Sequence, residues 1–582
     1  MSARGILLAL CGAVLTAHGT TLDVTVRHVF DGSPLLLDSL RYENAAGETL
    51  SVTRLSYLLS GFALEREEGG WVELPGQVAW LDAEAHRVDA RLAAVPAGKY
   101  RAVGFDVGLA PEQNDNTDLS KLAPDNPLNP NVNGLHWSWQ GGYIFLALEG
   151  HYRDAAQVIR GYALHLARDK NRTRINLPVL MDLRHDGTLA LDFDLGAMLN
   201  APRPLSFEKD GSATHSRDGD PVAAAMIMNL PAAFRVERFI SSLPSISLPS
   251  PIKPLYMPVS FTPYPFTMSR TFPIPDLPRD NPLIRERVTL GERLFHDPLL
   301  SRDGTVSCSS CHQASSDFSD PRRFSLGVDG RVGTRHAMPL FNLAWKSSFF
   351  WDGRAPSIRA QVWTPIQDHA EMDETPARVI EKLTASPAYA PLFTAAFGSP
   401  QITQEKVGLA IENFLLTITS YNAKFDRAMR GQEKFTPEEQ RGFQLFMTEY
   451  EPRTGQYGAD CFHCHGGALF TDHQFHNNGL PLAPGDTGRY AITHKEADRG
   501  KFATPSLRNL LYTGPYMHDG RFTTLEQVVA HYDHGVVRTP TLDPNLAKHP
   551  DDGLKLSPAD QQAIVAFLKT LSESAPIQVT KN

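Results

Sequence analysis

Cysteine is scarce in this chain, with five in 582 residues. That excludes a disulfide-stapled scaffold, in which bridges make up for a small core. Beyond the N-terminus no apolar run is long enough to span a bilayer, so the sequence offers no transmembrane helix. Positive charge is not in excess either. Lys and Arg number 56 against 65 Asp and Glu, a net charge of -9, which argues against nucleic acid as a partner and provides no basic patch for a membrane surface. What remains is a long chain, 42% hydrophobic, able to bury several separate cores. At its start Arg4, the apolar stretch Gly5 to Thr16 and the small residues of Ala17-His18-Gly19 make a secretory-type segment. Cys11 lies inside it, but Leu10 precedes that cysteine where lipid attachment wants a small residue. Residues 1–19 are expected to be a signal peptide, and the protein to be periplasmic.

The other four cysteines fall in two pentapeptides, Cys308-Ser-Ser-Cys311-His312 and Cys461-Phe-His-Cys464-His465. C-x-x-C-H is the attachment signal for c-type haem: the thiols add across the haem vinyl groups and the histidine reaches the iron as proximal ligand. Two disulfides or a four-cysteine zinc site would not need a histidine after each pair. Two covalent haems imply redox chemistry, and they agree with export, since such haem is attached outside the cytoplasm.

Residues 20–238 read as β-rich. Leu22 to Val26, Leu50 to Leu55 and Tyr143 to Leu148 alternate, and Gly, Asn and Pro clusters separate them. Many short strands with turn punctuation predict a β-sandwich or barrel. Residues 239–283 are rich in proline from Pro244 to Pro282 and predict a semi-stiff spacer or a strap on a domain surface. Residues 284–582 contain a diverged duplication. Gly291-Glu-Arg-Leu-Phe295 precedes the first haem signal and Gly442-Phe-Gln-Leu-Phe446 the second; amphipathic stretches at Val407 to Ile418 and Ala563 to Leu571 close the two units. The expected fold is multidomain: the mainly-β part, then two fused α-helical cytochrome c domains, 284–432 and 433–582.

The run from Leu290 through Leu-Phe-His-Asp-Pro-Leu-Leu-Ser-Arg-Asp-Gly to Cys308, with Phe349-Phe-Trp-Asp-Gly-Arg354 and Thr513-Gly-Pro-Tyr-Met-His-Asp-Gly520, resembles the bacterial di-haem cytochrome c peroxidase family. That family includes MauG-like enzymes, which oxidise residues of a partner protein. The resemblance implies hydrogen peroxide as substrate and three working residues. Trp351 would relay electrons between the haems, Glu371 would move a proton in O–O cleavage, and Gln361 would position the oxidant. A buried carboxylate suits that proton transfer. In the register of the family Tyr532 stands where electron-fed peroxidases place a methionine, as MauG-like enzymes do. A phenolate favours ferric and higher iron, whereas a thioether raises the potential; Met517 and His531 are rival ligands on chemical grounds. Calcium between the haems would involve Thr513 and Pro515, but His336 stands at the family's asparagine position, and imidazole is a poor calcium ligand.

Further upstream, His136-Trp137-Ser138-Trp139 through Gly150, with Asp106-Val-Gly108, Tyr162-Ala-Leu-His165 and Thr214-His215-Ser216, resembles the MbnP-like copper-binding proteins of methanobactin operons. Those are encoded beside an MbnH-like enzyme of the MauG-like type, which converts a tryptophan of its partner to kynurenine. The resemblance implies copper held by His136, His165 and His215, imidazole being a good copper ligand, and Trp137 or Trp139 as the oxidised residue. The expected function is a di-haem oxidase that uses peroxide to oxidise a tryptophan of its own N-terminal domain. The alternatives are a peroxide-removing enzyme fed by a small cytochrome or cupredoxin, and a copper-delivery protein with a haem conduit. Tyr532 argues against the first, and Glu371 with Gln361 against the second.

Overall fold

The structure, a computed structural model, describes residues 19–115, 118–137, 142–241 and 254–577. The expected signal peptide, save Gly19, lies outside the described residues, and so does Trp139.

The N-terminal part is two sheets sharing one core. The long strand Thr49–Arg66 pairs antiparallel with Ile144–Arg153 on one side and with Lys99–Val107 on the other, inside a nine-stranded sheet. Thr20–Phe30 runs parallel to Gly187–Asp194 in a five-stranded sheet. Alternate residues of each point inward, as period two requires. Val24 and Val26 from one sheet and Leu55, Tyr57 and Phe105 from the other are buried together, the packing of a sandwich. The last strand, Phe234–Ser241, runs past the expected boundary at 238.

The helical part is built twice on one plan. Helix Arg285–His296 crosses Gln404–Leu416, and helix Pro437–Phe446 crosses Pro558–Lys569. Each crossing is tight because a glycine sits at its centre. A Cβ on Gly291 would stand 2.0 Å from the Ala410 carbonyl, and one on Gly442 would stand 1.8 Å from that of Ala563. No side chain fits in either place, so the backbones meet directly.

The proline-rich segment, from 254 on, is a strap. Phe272 is fully buried in the first helical unit, the Trp345 indole donates to the Pro273 carbonyl (2.7 Å), and Asn129 of the β part donates to that of Ile274 (3.1 Å). The β and helical parts share a core. Trp137, Tyr143 and Phe145 are buried in one cluster with Phe462, Phe470 and Phe567. Gly161, on the strand Ile159–Ala167, lets helix Pro544–Ala547 pack against it: a Cβ there would lie 1.9 Å from the Pro544 carbonyl. No helix among the described residues is long and apolar enough to cross a membrane.

Candidate functional site

Each haem signal sits just after the first helix of its crossing. Cys308–Cys311 is one helical turn opened by Ser307 in a capping box, and Cys461–His463 is a 3-10 turn. The proximal histidines are held alike. His312 donates from Nδ1 to the Phe318 carbonyl (2.9 Å) and His465 to that of Phe470 (3.1 Å). Both phenylalanines take left-handed backbone, φ 58° and 54°, which turns those carbonyls to the rings. With Nδ1 so engaged, Nε2 of each histidine carries the lone pair that iron needs. The four thiols are unpaired. These residues fit two c-type haems.

The second haem's cavity is lined by Cys461, Cys464 and His465 and also by Met517, Tyr532 and Trp351. Tyr532 belongs to a single π turn, His531–Gly535, at the end of helix Leu525–Ala530. Such turns re-aim one side chain, often at a functional site. Burial pushes the Tyr532 hydroxyl up from its ordinary value, against Asn478, whose amide donates to it (3.3 Å). The same amide stands 3.6 Å from the Met517 sulfur, so tyrosine and methionine share one neighbour. His531 is turned away, its Nε2 against the Asn478 carbonyl (3.0 Å). The Trp351 indole donates to the His336 carbonyl (2.9 Å) and is buried.

Near the first haem signal, burial and the neighbouring Asp368 raise the Glu371 carboxyl to about 7, with Arg354 opposing. The cysteines Cys308 and Cys311 feel its charge. Gln361 ends the short helix Ile358–Gln361, capped by Ser357. Thr513 and Pro515 line the second cavity. The His336 ring is bonded to the Arg323 carbonyl at 3.3 Å and faces that of Thr513. A calcium ion there would need those oxygens, so these residues do not fit calcium.

Between the two parts lies a group that sequence reasoning reached only in part. The strand pairing sets His165 opposite Ala147 and Ala163 opposite Glu149, which places His165 and Glu149 on one face. The short strand Ala213–Thr214 pairs parallel to Ala163 and Leu164, so the next residue, His215, arrives beside His165. Ser216 fixes that position, its hydroxyl donating to the His165 carbonyl (2.9 Å). From the helical part comes His463, one of the two middle residues of the second haem signal. One ring nitrogen from each of His165, His215 and His463 lies within 4.8 Å of the other two. The Trp137 ring stands 5.1 Å from His215, 6.2 Å from His165 and 6.3 Å from Phe462. His136 is outside this trio. Its ring is edge-on to Tyr143 at 4.5 Å, and it lines the small cavity that Trp137, His165 and His463 also line. His463 and Phe462 could have been noticed in the sequence by contrast, because the first signal has Ser309 and Ser310 in their place.

The duplicated helix crossing and the two haem signals define a di-haem c-type cytochrome. The family model for di-haem cytochrome c peroxidase matches residues 285–434, and the chain belongs to that family. The methylamine utilization protein MauG of Methylorubrum extorquens is 41% identical over 307 residues, 52% of this chain and 82% of that protein. Cytochrome c551 peroxidase of Pseudomonas aeruginosa is 31% identical over 51% of this chain and 82% of its own length. The MbnP family model matches residues 19–216. The chain therefore joins an MbnP-like part to a MauG-like enzyme. Among solved structures, a MauG-like protein associated with microbial copper homeostasis is 31% identical over 53% of this chain and 96% of its own, with a TM-score of 0.48.

Proposed function

We propose that this di-haem enzyme oxidises Trp137 of its own N-terminal part and so prepares that part to hold copper. The observation that carries the reading is the seating of Trp137 against Phe462, one of the two residues between the haem-bearing cysteines of the second signal. Two haems held by His312 and His465 would supply the oxidising power that peroxide brings. Glu371 takes the proton from one peroxide oxygen and returns it to the other, with its carboxyl at about 7. Gln361 would position the oxidant at the first haem, and Trp351, which lines the second haem's cavity, would relay electrons toward it. Tyr532 and His465 line one cavity and would both hold the second haem. Phe462 and the packed core around it exclude water from Trp137.

The overall change balances with two equivalents of peroxide. The indole C2–C3 bond opens with an oxygen atom added at each carbon, giving N-formylkynurenine and two molecules of water. Hydrolysis then releases formate and leaves kynurenine, which has an aryl amine and a ketone. His165 and His215 stand beside that ring, and imidazole suits copper. Of the three expected copper histidines, these two are the ones we assign. Export through residues 1–19 belongs to the same reading.

A second reading, peroxide removal with electrons from a small cytochrome or cupredoxin, has one observation in its favour: Met517 shares the Tyr532 cavity. Peptide mass spectrometry of the holoprotein before and after peroxide separates the two. The first reading expects an oxidised product on Trp137, absent when Trp137→Phe is treated alike. Unmodified tryptophans after steady peroxide turnover with an added donor would leave the second.

A further inference from the structure

The two histidines of the β part are each oriented by a carboxylate. His165 faces Glu149 from Nε2 (2.8 Å), and His215 faces Glu449 from Nδ1 (2.6 Å). A neutral imidazole has one N–H, and these carboxylates are its acceptors. The nitrogens left over are His165 Nδ1 and His215 Nε2, and they face each other at 3.3 Å. Two lone pairs at that distance repel unless a cation lies between them. Two imidazole nitrogens bound at ~2.0–2.1 Å to one tetrahedral ion would stand roughly 3.3–3.4 Å apart.

The helical part supplies much of the surroundings. Glu449 precedes the second haem signal, and Asn545 donates to Glu149 (3.0 Å). His463 stands with its ring 5.2 Å from His165 and 5.0 Å from His215. Buried carboxylates Glu149, Glu449 and Asp460 face Arg54 and Lys548, and Glu449 also stands 3.1 Å from Nε2 of His463, so one carboxylate touches a histidine from each part. A cavity of about 890 Å³ between the two parts shares the lining residues Arg54, Gly134 and Asp472 with the small cavity that His165 and His463 line.

We infer that the copper ion is held jointly by the two parts of the chain, with His165 and His215 from the β part and His463 from the second haem signal as its three imidazole ligands, and with Glu449 orienting His215. The inference takes only its choice of metal from the function proposed above. It does not need Trp137 to be oxidised. It makes the metal site incomplete in the β part alone and sets the metal one residue away from a haem-bearing cysteine.

The test uses the full-length holoprotein and copper(I) as probe. Affinity is read by equilibrium dialysis with metal analysis, and the number of imidazoles by X-ray absorption at the copper edge, which the haem iron does not disturb. Three imidazoles are expected. His463→Ala should leave two and weaken binding at least tenfold, with two haems still present by intact mass. If that variant loses its haem, Glu449→Gln decides. It is expected to weaken binding by roughly 10–100-fold, the scale of losing a partner that orients a ligand. Holoprotein kept from peroxide, its Trp137 unmodified by peptide mass, should already show three imidazoles, so failure of tryptophan oxidation and failure of this site are read separately. Three imidazoles persisting in His463→Ala, unchanged affinity in Glu449→Gln, or no copper bound by the unaltered protein would overturn the inference.

Discussion

Glu371 is a carboxyl placed where water cannot easily stabilise its charge, and burial with Asp368 raises it to about 7. The proposed role as proton carrier predicts a pH profile with a definite sign. The carboxylate form accepts the first proton, so peroxide consumption should rise as pH increases through about 7 and fall below it. Glu371→Gln keeps the shape and removes the titrating group. Stopped-flow measurement should find the reaction with peroxide slowed by roughly 10²–10⁴ and its inflection gone; an unchanged profile would assign the proton to another group. Tyr532 makes a second residue-scale prediction. As ligand it should give an oxidised spectrum without a methionine–iron charge-transfer band, and Tyr532→Phe should change that spectrum while both haems stay attached. A methionine band in the unaltered protein would assign the position to Met517. Positions such as Trp351, Gln361 and Glu371 could be counted along one resembling motif. His463, Phe462 and Glu449 could not, because the haem signal leaves its two middle residues unspecified and no periodicity links Glu449 to a strand more than two hundred residues away.

The elements follow from simple local rules. Gly291 and Gly442 stand where two helix backbones touch, and the shared Gly-x-x-Leu-Phe pattern makes the duplication legible in the sequence. The glycine rule has a direct consequence. Gly442→Ala would push a methyl group into the Ala563 carbonyl, at a cost of about 1–3 kcal/mol from overpacking. Thermal unfolding of the variant should begin several degrees lower, whereas Gly333→Ala, with nothing nearer than 3.9 Å, should melt as the unaltered protein does. The β part was legible as alternation, which fixes strands but not their neighbours. Sheet order depends on long-range pairing, such as Thr20–Phe30 beside Gly187–Asp194, and a single sequence has no signal for that. The proline-rich segment left spacer and strap equally open. Burial of Phe272 and the bond from Trp345 decide for the strap.

At the scale of the whole molecule, one interface joins the two parts. Trp137 and Phe462 lie in one core, His151 meets the Leu542 carbonyl (2.7 Å), and Arg160 pairs with Asp551 (2.8 Å). Wedging this interface apart should separate two activities. Gly161→Val puts a branched side chain against the Pro544 carbonyl. We expect it to slow oxidation of Trp137 while peroxide turnover on an added small electron donor stays near that of the unaltered enzyme. The most direct measurement is the rate at which the Trp137 peptide gains its oxidised form after peroxide is added, followed by mass spectrometry across a hundredfold dilution series of the holoprotein. Oxidation within one chain predicts the same first-order rate constant at every dilution. A rate constant that falls in proportion to protein concentration, or a Trp137 peptide that never changes, would contradict it.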